Sequence, residues 1–188
     1  SHISKLYGII CTKDNSYIED LLLIDNKLNG TIPHTICNVI ALNQIKTIRL
    51  DQNYLHGTLP KCLLPTIFNY KVPQNDYVYN STKIMFRANK NQLTGTLSCS
   101  QMDWNYTNIN NQSWNNEDLS WKEIWLQNNR LFGTIPECLY QSKLHWIDLS
   151  HNYFTGTLPK ENISIRNYLA LGYNYLHGTI PSTINFLT

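Results

Sequence analysis

At 188 residues the chain has the length of one ordinary domain or of an array of small repeats, long enough to bury a sizeable core. Hydrophobic residues make up 42% of it, and charged residues only 15%, against about 25% in an ordinary globular chain. A net charge of +2 with no Lys/Arg run excludes a nucleic-acid binder that works by phosphate neutralisation, and no apolar run reaches the roughly 18–20 residues of a membrane span.

One line recurs along the chain: Leu-x-Leu-x-x-Asn-x-Leu-x-Gly-Thr-Ile/Leu-Pro. A half copy stands in front, with Leu6, Gly8, Ile10 and Cys11 in the proline place. The first complete copy carries Leu21, Leu23, Asn26, Leu28, Gly30 and Pro33. The second carries Ile48, Leu50, Asn53, Leu55, Gly57 and Pro60. The third is looser, with Phe86, Ala88, Asn91, Leu93, Gly95 and Ser98 for proline. Ile124, Leu126, Asn129, Leu131, Gly133 and Pro136 form the fourth, and Ile147, Leu149, Asn152, Phe154, Gly156 and Pro159 the fifth. The sixth has Leu169, Leu171, Asn174, Leu176, Gly178 and Pro181. Alternation at Leu-x-Leu predicts a short strand with one buried face, which only stacked neighbours can cover. The asparagine falls where the chain turns inward, so its amide is placed to satisfy backbone groups of adjacent turns. Glycine permits a tight bend with positive φ, and proline ends the pairing that follows.

The pattern resembles the leucine-rich repeat, and Gly-Thr-Ile/Leu-Pro resembles its plant-type extracellular subclass. The resemblance covers nearly the whole chain and implies an α/β-type solenoid. That fold is a right-handed superhelix with a concave parallel β-sheet, a mostly 3₁₀ or irregular convex side and, here, two loop insertions. The chain divides accordingly into a half repeat, 1–17, and repeats 18–44, 45–82, 83–120, 121–143, 144–165 and 166–188.

Steps between motif glycines are 22, 27, 38, 38, 23 and 22 residues, so insertions of about fifteen residues fall within 61–82 and 98–120. The first carries Tyr70, Tyr77 and Tyr79, the second Trp104, Tyr106 and Trp114. Both begin just after the motif and are expected on one side of the coil. The front half copy lacks a Leu-x-Leu strand, and neither end carries a polar capping unit. Three explanations compete: a piece of a longer array, which the missing strand favours, end-to-end stacking of copies, or incomplete sequence.

Five cysteines, Cys11, Cys37, Cys62, Cys99 and Cys138, follow the motif closely, without zinc-ligand spacing. Adjacent turns about 4.8 Å apart make Cys62–Cys99 and Cys99–Cys138 feasible, though mutually exclusive, and Cys11–Cys37 a looser candidate. Buried free thiols are the alternative. Glycosylation triplets occur at Asn29, Asn80, Asn105, Asn111 and Asn162. Asn29 lies inside the motif, where crowding is expected. Together with the resemblance, cysteines and triplets place the protein outside the cell, secreted or at the surface.

On the concave face the central strand position reads Leu22, Arg49, Arg87, Trp125, Asp148, Ala170 in turn order. The preceding position reads Asp20, Thr47, Met85, Glu123, Trp146, Tyr168, and the following one Ile24, Asp51, Asn89, Gln127, Ser150, Gly172. Arg49 and Arg87 become cross-strand neighbours, either neutralised by Asp51 or clamping an anion. Trp125, Trp146, Tyr168 and Tyr173 group into an aromatic patch suited to protein, peptide or sugar contacts, unless the second insertion covers part of it. Ligand-binding candidates are therefore Arg49, Arg87, Trp125, Trp146, Asp148, Tyr168 and Tyr173.

Thr31, Thr58, Thr96, Thr134, Thr157 and Thr179 line one flank, a row explained by side-chain packing or, as a minor alternative, by an ordered surface such as ice. His145 and His151 flank one strand without a nucleophile or paired carboxylates, so no enzyme and no cofactor or metal is expected. The function expected is extracellular, non-catalytic recognition of a protein, peptide or glycan. The alternative is a structural glycoprotein that self-associates end to end or through its insertions into filaments or a matrix. No nucleic acid and no membrane insertion of this chain are expected.

Overall fold

The computed structural model describes residues 8–11, 18–37, 45–63, 85–98, 123–141, 144–160, 163, 165 and 167–182. The Leu-x-Leu segments form short parallel strands: β2 (Ile18–Leu22), β4 (Thr47–Arg49), β6 (Met85–Arg87), β8 (Glu123–Trp125), β10 (Trp146–Asp148) and β12 (Tyr168–Ala170). They pair in chain order into one sheet. Its register is that of the repeat: Ile48 pairs with Phe86, Phe86 with Ile124, Ile124 with Ile147 and Ile147 with Leu169.

The first strand of that sheet departs from expectation. The front half copy does form a strand, β1 (Ile9–Cys11), which runs antiparallel to β2 with a bulge between Ile10 and Cys11. Gly8 takes φ +94° before it, and its carbonyl accepts the N–H of Leu22, turning the chain back along the sheet edge. Parallel pairing needs a full crossover, whereas antiparallel pairing needs only a connection, so a half copy suffices.

A second sheet follows the turn asparagines and was not foreseen. Strands β3 (Asn29–Thr31), β5 (Tyr54–Gly57), β7 (Gln92–Gly95), β9 (Arg130–Thr134), β11 (Tyr153–Gly156) and β13 (Tyr175–Leu176) pair in parallel along the flank. The convex side includes a 3₁₀ turn at Lys61–Leu63 and a short helix, α1 (Glu137–Gln141).

Between the sheets runs one apolar column. Ile48, Phe86, Ile124 and Ile147 are fully buried, and so are Leu126, Leu131, Phe154, Leu139 and Tyr140 to within 2%. Leu21 and Leu23 in the first turn, and Leu169 and Leu171 in the last described one, are only partly buried. Each interior leucine thus gains about 1.5–3 kcal/mol from burial that a single turn cannot provide.

Asparagine stitches the turns together. The Asn129 carboxamide oxygen accepts Leu93 N–H at 3.0 Å, and its Nδ2 donates to the carbonyls of Ala88 and Leu126, both at 3.0 Å. Asn53, Asn91, Asn152 and Asn174 do the same one turn apart. The residue before each, Gln52, Lys90, Asn128, His151 or Tyr173, has φ between 53° and 59°. A left-handed residue there aims the asparagine inward, at about 1–2 kcal/mol of backbone strain.

Cys11 carries a free thiol, while Cys37 is disulfide-bonded. The candidate pair Cys11–Cys37 is therefore not made: Cys11 sits on the antiparallel edge strand, outside the repeat's own register. Cys99 lies outside the described residues, as do most of both insertions and the triplet asparagines Asn80, Asn105, Asn111 and Asn162. Asn29 is exposed on β3 rather than crowded, its Oδ1 accepting Gly30 N–H at 2.9 Å. No helix among the described residues is long and apolar enough to cross a membrane.

Candidate functional site on the concave sheet

The parallel register brings the expected face residues into rows. Arg49 pairs with Arg87, Arg87 with Trp125, Trp125 with Asp148 and Asp148 with Ala170. In the neighbouring row Met85 pairs with Glu123, Glu123 with Trp146 and Trp146 with Tyr168.

The two arginines face each other, but each is held by its own carboxylate. Arg49 makes a two-pronged contact with Asp51, Nε to Oδ1 at 3.2 Å and Nη2 to Oδ2 at 2.9 Å. Asp51 is 2% exposed, so its carboxylate is withdrawn from solvent while Arg49 stays half-buried. Arg87 turns the other way. Its guanidinium lies 4.5 Å from the Trp125 ring centroid, and its Nη2 is 3.4 Å from Glu123 Oε2. That same oxygen accepts the Trp125 indole N–H at 3.2 Å. Two charges that would repel across a parallel ladder are thus separated by opposite anchoring, and an anion between them is unnecessary.

Trp125, Trp146 and Tyr168 come together as a stacked cluster. Their centroids are 6.1 Å apart for Trp125–Trp146, 6.2 Å for Trp125–Tyr168 and 5.1 Å for Trp146–Tyr168, with interplanar angles of 16°, 22° and 30°. Both tryptophans are half-buried and Tyr168 is exposed. Tyr173 does not join them. It occupies the left-handed turn beyond the strand, at φ 56°, and stacks instead on His151, the equivalent residue one turn earlier, at 4.0 Å and 11°.

Asp148 is placed on this face but is buried rather than presented. It is 7% exposed, and its Oδ1 accepts the N–H of Ser150 at 3.0 Å and the Ser150 hydroxyl at 2.6 Å. Glu123 and Gln127 are the residues that sequence reasoning undervalued. Glu123 links Arg87 to Trp125, and Gln127 has a buried Oε1 with no hydrogen-bond partner among the described residues. The signal for Glu123 was its place directly beside Trp146 in the aligned rows; which neighbour its carboxylate chooses is a rotamer question that spacing does not answer.

The flank sheet adds a second aromatic row. Tyr153 stacks on Tyr175 at 6.1 Å and 13°, and Tyr153 is in register with Phe132. Among the described residues no group of three His, Cys, Asp or Glu side chains is placed to hold a metal ion.

Comparison with known proteins agrees with this architecture. The Leucine Rich Repeat family model matches residues 120–142 and 143–162. Receptor-like protein 35 of Arabidopsis thaliana is 29% identical over 177 residues, covering 84% of this chain and 18% of that protein. The chain spans between 16% and 18% of the curated relatives it matches. Among solved structures, pollen receptor kinase 3 superimposes with a TM-score of 0.65 at 27% identity, over 97% of this chain and 74% of that one. The Arabidopsis receptor kinase HAESA, solved with the peptide hormone IDA and the co-receptor SERK1, does so with a TM-score of 0.50 at 26% identity, over 86% of this chain and 26% of that one. Repeat signature, paired parallel sheets and relatives together make the chain a leucine-rich repeat solenoid, similar to plant receptor-like proteins.

Proposed function

We propose that the chain is an extracellular, non-catalytic recognition module that takes a peptide or protein segment across its concave sheet. The observation that carries this reading is the Trp125–Trp146–Tyr168 cluster, three large rings gathered on one open face by the strand register. Such rings bury much area while freezing few rotors, which makes them efficient anchors. The HAESA structure, with its bound peptide hormone, supports a peptide as the class of ligand. An extracellular setting is supported by the receptor-like relative and by the disulfide at Cys37.

A displayed library of random dodecapeptides selected on the full chain tests this. Binders should lose roughly 100-fold in affinity when Trp125 and Trp146 are both changed to Ala, as expected for two hot-spot anchors. Far-UV circular dichroism of the variant should stay unchanged, and the wild-type chain should sediment as a monomer. Binders indifferent to both tryptophans, or a wild-type chain that sediments as long assemblies, would overturn the reading in favour of a filament-forming structural protein.

A further inference from the structure

Carboxylates outnumber cations on the concave sheet. Its face positions hold Asp20, Asp51, Glu123 and Asp148 against Arg49 and Arg87, and the turn residues beyond add one charge of each sign, Asp25 and Lys90. Both arginines are matched already, Arg49 by Asp51 and Arg87 by Glu123. Asp148 is different. Although it is buried, no cation pairs with it among the described residues. Its bonds to Ser150 come from neutral donors, which orient one oxygen but leave the charge uncompensated. Burying a lone carboxylate is costly, and a cation brought by a ligand offsets that cost.

The surroundings suit such a cation. Asp148 is aligned with Trp125 on one side and with the small Ala170 on the other, and it stands two residues from Trp146 on the same face of β10. Tyr168 lies beyond, against Trp146. One strand earlier the same sheet already holds a guanidinium by this combination: Arg87 lies over Trp125 with the Glu123 carboxylate beside it. Trp146, Tyr168 and Asp148 repeat the pairing of aromatic face and buried carboxylate, with no cation from the described residues.

We propose that Trp146, Tyr168 and Asp148 form a seat for an arginine or lysine side chain of the bound segment. This rests on the concave sheet being the recognition surface. An aromatic wall attracts a cation through the ring quadrupole, and the carboxylate gives the head group a charged acceptor. The partner is accordingly a basic peptide or a protein segment with an exposed basic residue, and an acidic one is disfavoured by the excess of carboxylates.

The selected dodecapeptides provide the probe. They should be enriched in Arg or Lys and lose roughly tenfold in affinity against Asp148→Asn, with the loss shrinking as salt is raised. Asp148→Asn keeps a carbonyl oxygen for Ser150, and a thermal melt within a few degrees of wild type confirms that the fold is retained. Asp20→Asn, a carboxylate of the same face remote from the cluster, should leave affinity unchanged. Tyr168→Leu, at an exposed position, should weaken the same clones without unfolding the chain. Clones that depend on Trp146 yet show no basic enrichment, or that bind Asp148→Asn as well as wild type, overturn the cation seat while concave recognition stands. Clones that ignore Trp125 and Trp146 overturn both.

Discussion

The Cγ2 methyl of Thr96 lies 2.9 Å from the point where a Cβ on Gly133 would stand. The relation recurs one turn at a time, Thr31 under Gly57, Thr58 under Gly95, Thr134 under Gly156 and Thr157 under Gly178, at 2.8 to 3.0 Å. The Gly-Thr pair of the motif is therefore an inter-turn contact: each threonine methyl fills the space that the next glycine leaves empty.

Gly133→Ala should destabilise the chain by about 2–4 kcal/mol, because it sets a Cβ against a stiff β-branched neighbour and forces alanine to φ +83°. Gly30 has φ +116° and nothing within 4 Å, so Gly30→Ala should cost only the backbone share, about 1–2 kcal/mol. Gly172→Ala, with neither constraint, should stay within about 0.5 kcal/mol. Urea midpoints of the three variants check the order, and adding Thr96→Ser to Gly133→Ala should recover the steric part alone.

Asn129→Ala should cost about 2–4 kcal/mol by the same measurement. The carbonyls it leaves, Ala88 and Leu126, are also served by Asn91 and Asn152, but the Leu93 N–H loses its acceptor inside the core. Asn26 is exposed and, among the described residues, donates only to Ile24, so Asn26→Ala should cost less than about 1 kcal/mol. Equal costs at the two positions would contradict the ladder.

Tyr140 gives the stability a pH dependence. Burial pushes its phenol up to about 12 from 10.0 in the folded chain. Below the unfolded value both states hold the proton and nothing changes. As pH rises from about 10 towards 12 the unfolded chain ionises first, so stability should fall, by up to roughly 2–3 kcal/mol. Denaturation midpoints across that range should decline more steeply for wild type than for Tyr140→Phe.

The repeat and its column of leucines were legible from periodicity alone, because six copies impose the same burial demand at the same spacing. Cross-strand rows followed directly, since parallel pairing of identical units leaves one sensible register. Arg49 beside Arg87 and Trp146 beside Tyr168 were readable in this way. The flank sheet was less so: its strands carry no alternating leucines, and they pair because the Asn ladder and the Thr–Gly contacts already hold successive turns in step.

Sequence by itself determined which residues share a face and which turn follows which, for a strand's pleat and a repeat's spacing are local properties. Only the tertiary structure decided what those side chains do. Arg87 lies on Trp125 while Arg49 turns to Asp51, Tyr173 turns to His151, Asp148 sinks into the sheet, and a half copy doubles back as β1. Each of these outcomes depends on rotamers and backbone directions chosen by competition among neighbours distant in the chain, a choice that no local spacing encodes.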